Sequence, residues 1–222
     1  MDSTTHITAY LTGRWPDRTG LGVHYARVMA AALARYAPQA EFTVFTDQAL
    51  PGINTRPIPA LSGFFGRLYQ FSPEAFPRGT RVLSLDLDTA ILGDLTPILT
   101  MDLSQIVGLG AFGPRHDWAR PLMGNGLMSW IAGPKYWPLW LDFPKGFRGT
   151  DETWTRSALK DEWRWVDELV PNAVMSYGWD MRRAKRPITP DTRIVYFYGV
   201  PRPHQINETW NPLYLTPANG KR

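Results

Sequence analysis

The chain contains no cysteine, which removes disulfides, thiolate metal sites and cysteine nucleophiles from consideration. No stretch approaches the ~18 uninterrupted apolar residues of a membrane helix, so no membrane span is predicted. The start, MDSTTHITAYLT, has no basic segment leading into an apolar one, which predicts no signal peptide. With the missing cysteines, this points to a cytoplasmic protein. There is no Gly-x-Ser-x-Gly elbow to support a serine hydrolase. Internal repeats, low-complexity tracts and linkers are also lacking. Net charge is small: 24 basic against 20 acidic side chains leave +4. That predicts no nucleic-acid partner but suits an anionic small substrate.

What is present fits one compact domain over residues 1–222, with 44% apolar and 20% charged residues. His6–Thr12 reads as a strand entering a polar loop. Leu21, Tyr25, Val28, Met29, Ala32 and Tyr36 fall on one helical face, and Pro38 ends that helix. Strands are predicted over Glu41–Phe45 and Thr55–Ile58, and a short helix over Phe64–Phe71. This alternation argues for an α/β fold with a largely parallel sheet. Further on, strands are predicted at Ser104–Leu109, Leu122–Trp130, Val174–Tyr177 and Arg193–Tyr198, with helices at Pro134–Leu141 and Asp151–Trp163. Either Thr150 or Asp151 could cap the last helix.

The most informative segment is Arg81–Leu95, RVLSLDLDTAILGDL. A short apolar run ends in Asp86 and Asp88, and a second run follows at Ala90–Leu92. Carboxylates at the end of a buried strand sit where α/β sheets bind ligands. Two acids so close repel unless a cation neutralises them, and oxygen donors suit Mg²⁺ or Mn²⁺. The same three-residue pattern also arises in ordinary turns.

The order of landmarks resembles a small GT-A-type glycosyltransferase, similar to family 8 and related bacterial and viral enzymes. The segments that carry the resemblance are FGRLYQFSPEAFPRGTRVLSLDLDTAILGDL, GNGLMSWIAG, RGTDETWTRSAL, VMSYGWD and IVYFYGVPRPHQI. The resemblance implies a GT-A fold, with a Rossmann-like, mostly parallel central sheet flanked by helices. It assigns residues 1–100 to nucleotide binding and 101–222 to the donor sugar and acceptor. It also implies transfer of a sugar from a nucleotide-sugar donor to an unknown glycan, lipid or protein acceptor.

On this reading Asp86 and Asp88 hold Mn²⁺ or Mg²⁺ against the donor diphosphate. Arg202 takes the place of the family's lysine in Pro-Lys-Pro, and His204 closes that match. Arg67 is a second basic candidate, and Thr12 and Gly13, from their position at the end of the first strand alone, are placed against the nucleoside. Asn125 is expected at the donor sugar. Asp151, or Glu152 on a one-residue slip, would orient the acceptor or stabilise a cationic sugar. Plainer roles stay open for several of them: surface arginine for Arg202, turn residue for Asn125, helix cap for Asp151.

Two positions depart from the family. The histidine that supplies a third metal ligand is here Tyr198, a poorer ligand because a phenol keeps its proton near neutral pH. The lysine of Ser-Tyr-Lys is Gly178. Two alternatives follow: a nucleotide-sugar binder of the same fold without turnover, or a haloacid-dehalogenase-type phosphohydrolase, whose strand also ends in Asp-x-Asp. Two features outside the motif, the basic run Arg182, Arg183, Lys185 and Arg186 and the aromatic segment Tyr136, Trp137, Trp140 and Phe143, are read as a solvated face and as the buried side of a helix.

Overall fold

The computed structural model describes residues 5–12, 22–59, 63–111, 122–144, 146–160 and 162–210. The chain runs through β1 (Thr5–Leu11), α1 (Gly22–Tyr36), β2 (Glu41–Thr46), β3 (Thr55–Pro57) and a 3₁₀ segment, Gly63–Phe71. It continues through β4 (Arg81–Leu85), β5 (Ala90–Ile91), α2 (Thr96–Leu99), β6 (Ile106–Ala111), β7 (Leu122–Ile131) and α3 (Pro138–Leu141). Then follow α4 (Asp151–Leu159), β8 (Trp163–Trp165), α5 (Val166–Leu169), β9 (Val174–Ser176), a π-helical turn at Tyr177–Arg183, and β10 (Ile194–Tyr196).

The main sheet has the order β3-β2-β1-β4-β7-β6-β8. The pairs β3–β2, β2–β1, β1–β4 and β6–β8 are parallel, whereas β7 runs antiparallel to both β4 and β6. The expected mostly parallel α/β architecture is therefore present. Because β1 lies between β2 and β4, the chain leaves it on one side and returns on the other. Loops diverge at such a reversal and leave a crevice beyond the carboxyl ends of the strands.

Strand periodicity builds a core on each face of this sheet. From β1, Ile7, Ala9 and Leu11 join the cluster that packs on α1, whereas Tyr10 joins a second cluster with Phe45, Leu68 and Trp130. β4 divides likewise, Leu83 and Leu85 to the first cluster and Val82 to the second. Gly66 lets the 3₁₀ segment lie on β1, since a Cβ there would fall 2.1 Å from the Tyr10 hydroxyl. A small sheet, β5-β10-β9, joins the segment just after the aspartates to the C-terminal part of the chain.

Several boundaries differ from the sequence reading. The helix expected over Phe64–Phe71 is 3₁₀, and only Pro138–Leu141 of the next one is α-helical. The helix expected over Asp151–Trp163 ends at Leu159, where Lys160 turns left-handed (φ 47°) and frees Trp163–Trp165 to pair with β6. Pairing with an edge strand is a tertiary contact that helix propensity does not report. The aromatic segment is half-buried or buried as expected: Trp140 meets Tyr69 edge-on and Phe143 meets Phe65 at 4.7 Å. Trp154 Nε1 donates to the Leu139 carbonyl at 2.8 Å, binding α4 to α3.

The cap of α4 is Thr150, whose hydroxyl accepts from the Thr153 amide at 3.1 Å. Asp151 therefore does not cap the helix. Thr150→Ala should cost about 1 kcal/mol, as N-cap truncations generally do. A shift in urea midpoint with an unchanged slope would report it.

Candidate functional site

The aspartate motif is built by the sheet and closed by a turn. The Asp86 amide donates to the Gly126 carbonyl of β7 at 2.9 Å, extending the ladder one residue beyond β4. The Thr89 amide then returns to the Asp86 carbonyl at 3.0 Å. Leu87, buried between the two acids, anchors the turn in the core. Gly126 supports the same point from behind, because a Cβ there would sit 3.1 Å from Asp86 Oδ2 and 3.2 Å from Leu109 Cδ1.

Each acid is met by an arginine. Arg67, from the 3₁₀ segment, pairs with Asp86 through Nη2, donates from Nη1 to the Asn125 carbonyl at 3.0 Å, and lies 3.8 Å from Asp151 Oδ2. Burial alone would lower its pKa, but the adjacent Asp86 and Asp151 carboxylates outweigh that and hold it above the ordinary arginine value. Arg202 pairs with Asp88 although the two lie 114 residues apart. The small sheet explains the meeting, since β5 follows the aspartate turn and β10 leads into the segment that carries Arg202. Tyr25 of α1 hydrogen-bonds His204 Nδ1 and pins the same segment to the main body. Burial, with His24 and Arg202 nearby, lowers the pKa of His204.

Asn125 and Asp151 adjoin this cluster, both meeting Arg67. Asn125 Nδ2 donates to Asp151 Oδ2 at 3.1 Å, which orients the amide and leaves Oδ1 buried with no hydrogen-bond partner among the described residues. A buried acceptor left open in a cleft wall is completed by a ligand donor or water. Glu152 lies beside them, and burial pushes its carboxyl above the usual carboxylate range, with Arg156 opposing the shift.

These groups line one cleft of about 540 Å³ at the carboxyl ends of β1 and β4. Of the residues singled out from sequence, it gathers Arg67, Asp86, Asp88, Asn125, Asp151, Tyr198, Arg202 and His204. Thr12 is set back: it is buried and its side chain hydrogen-bonds Tyr10, while Tyr10 and Leu11 face the cleft. Gly13 lies outside the described residues. Tyr198 stands at the mouth with 65% of its surface exposed. The basic run lies elsewhere, Arg186 bound to Asp180 at 2.7 Å and Arg183 stacked 4.4 Å over Trp179.

Sequence reasoning missed Tyr10, Tyr25 and Tyr196 in this wall. Tyr10 lies within the first strand read from sequence, Tyr25 on the apolar face of the first helix, and Tyr196 two residues before the position matched to the histidine.

Asp86 and Asp88 are the carboxylates that could hold a divalent cation. No group of three or more His, Cys, Asp or Glu among the described residues is arranged to hold a metal ion by itself. Two carboxylates are nonetheless a suitable protein share for Mg²⁺ or Mn²⁺, which commonly complete their shells with water and substrate phosphate oxygens. No helix among the described residues is long and apolar enough to cross a membrane.

No family model matches the sequence, and no curated protein matches it. Solved structures do match in fold. The glycosyltransferase GlyE of Streptococcus pneumoniae TIGR4 aligns at TM-score 0.66 and 14% identity, over 97% of this chain and 61% of that one. This chain thus spans about three-fifths of GlyE's length. The galactosyltransferase LgtC, in complex with donor and acceptor sugar analogues, aligns at TM-score 0.59 and 14% identity, over 90% of this chain and 89% of that one. The bifunctional glycosyltransferase WbbM aligns at TM-score 0.62 and 12% identity, over 91% of this chain and 47% of that one. At such identities the shared property is the fold, and the chain has the GT-A glycosyltransferase fold that its sequence resembles.

Proposed function

We propose that this chain transfers a sugar from a nucleotide-sugar donor to a glycan, lipid or protein acceptor. The observation that carries the reading is the convergence of two aspartate–arginine pairs with Asn125 and Asp151 at the crevice of a GT-A sheet. On this reading Tyr10, Leu11 and Tyr25 line the nucleoside end of the cleft, beyond β1. Asp86 and Asp88 would hold Mn²⁺ or Mg²⁺, which supplies Lewis-acid neutralisation of charge on the leaving nucleotide.

The chain's own residues do the rest. Arg67, held by three partners, fixes Asp86 and the Asn125 backbone in one geometry before any ligand arrives, so little reorganisation is needed on binding. The open Asn125 Oδ1 can accept from a donor-sugar hydroxyl. Asp151 is an acceptor-only group as the carboxylate, so it can orient an attacking hydroxyl or offset positive charge on a sugar-like transition state.

The test is a panel of UDP-, GDP-, dTDP- and CMP-sugars with Mn²⁺, followed by release of the nucleotide. Release from one donor, accelerated by a suitable acceptor, is the expected result. Nucleotide binding with no release across the panel would mark a binding protein instead. Turnover of a generic phosphomonoester with Mg²⁺, lost in Asp86→Asn, would point to a phosphohydrolase.

A further inference from the structure

The two arginines at the aspartate pair are not equivalent. Arg67 is locked: its side chain is 15% exposed and meets Asp86, the Asn125 carbonyl and Asp151. Arg202 is 37% exposed, sits on an irregular segment, and its guanidinium meets Asp88. Asp88 is buried, and Arg202 supplies the positive charge that this carboxylate needs. A divalent cation and Arg202 therefore compete for the same oxygen atoms. A diphosphate changes the balance, because a guanidinium matches phosphate oxygens as well as it matches a carboxylate.

Resting on the nucleotide-sugar reading, we infer that Arg202 is a displaceable counter-ion of Asp88. Paired with Asp88, it opposes uptake of a free divalent cation, and it passes to the donor diphosphate as cation and donor enter together. The positive charge near Asp88 is then exchanged rather than doubled. Arg67 stays in place throughout, because moving it would strip Asp151 and the Asn125 carbonyl of a partner at the same time.

This assignment gives Arg202 two effects of opposite sign. Free-Mn²⁺ EPR titration without nucleotide should show weak uptake by the unmodified protein. Arg202→Met should take up Mn²⁺ about tenfold more tightly, the lower end of what an adjacent opposite charge does to a carboxylate's affinity for a cation. Arg202→Lys, which keeps the charge, should stay near the unmodified protein. By calorimetry with UDP or GDP in saturating Mn²⁺, Arg202→Met should bind nucleotide about tenfold more weakly. Mn²⁺ affinity in Arg202→Met equal to or below that of the unmodified protein, while nucleotide still binds, overturns the counter-ion role and leaves the proposed function standing. If the unmodified protein binds no nucleoside diphosphate with or without Mn²⁺, the functional reading fails and this inference fails with it.

Discussion

Arg67→Met is expected to destabilise the fold by about 3 kcal/mol, the cost of leaving buried charges without their counter-ion. Three groups lose a partner at once: Asp86, the Asn125 carbonyl and Asp151. Asp151 dominates the cost, since its side chain is only 6% exposed, whereas Asp86 is 32% exposed and regains some hydration. Methionine fills much of the arginine stem's volume, so the effect reads as lost charge more than lost packing. Urea unfolding measures it directly. Adding Asp151→Asn should recover part of the loss, because the double variant no longer buries that unpaired charge. A single variant within about 0.5 kcal/mol of the unmodified protein would show that Arg67 does not bind the cleft together.

Asp88→Ala is expected to leave the fold intact and to remove Mn²⁺-dependent nucleotide affinity. The asymmetry with Arg67 follows from exposure: the partner left behind is Arg202, which is already partly in water and can turn outward. The loss at the site is larger. One of the two carboxylates available to a cation is gone, and turnover should fall by about 10²–10³-fold, the scale for losing one preorganised charge-stabilising group. Calorimetry with and without Mn²⁺, beside initial rates of nucleotide release, checks both halves. Unchanged Mn²⁺ dependence in a folded Asp88→Ala would falsify the metal assignment.

The strands were legible where the code is local. β1, β2, β4 and β7 show apolar runs or alternation with clear stops, and the structure places them within a residue or two of the sequence reading. β8 was not legible, because the helix read over Asp151–Trp163 runs into it, whereas Lys160 turns the chain and pairing with β6 takes over. Asp151 illustrates the same limit at the site. Two polar residues in succession could each cap α4, and only the backbone turn at Thr150 decides which does. The other then faces Asn125 and Arg67.

The sequence by itself determined the α/β alternation and the position of the acids at a strand end, because hydrophobic period and strand length are set by neighbours in the chain. It also named most of the cleft's polar groups through ordered motifs. What only the tertiary structure decided is their pairing. Arg67 reaches Asp86 because Gly66 lets its 3₁₀ segment lie against Tyr10. Arg202 reaches Asp88 because β5 and β10 share a small sheet. Both arrangements depend on contacts between distant segments, and a charge's partner in a buried cleft is fixed by where the fold leaves it.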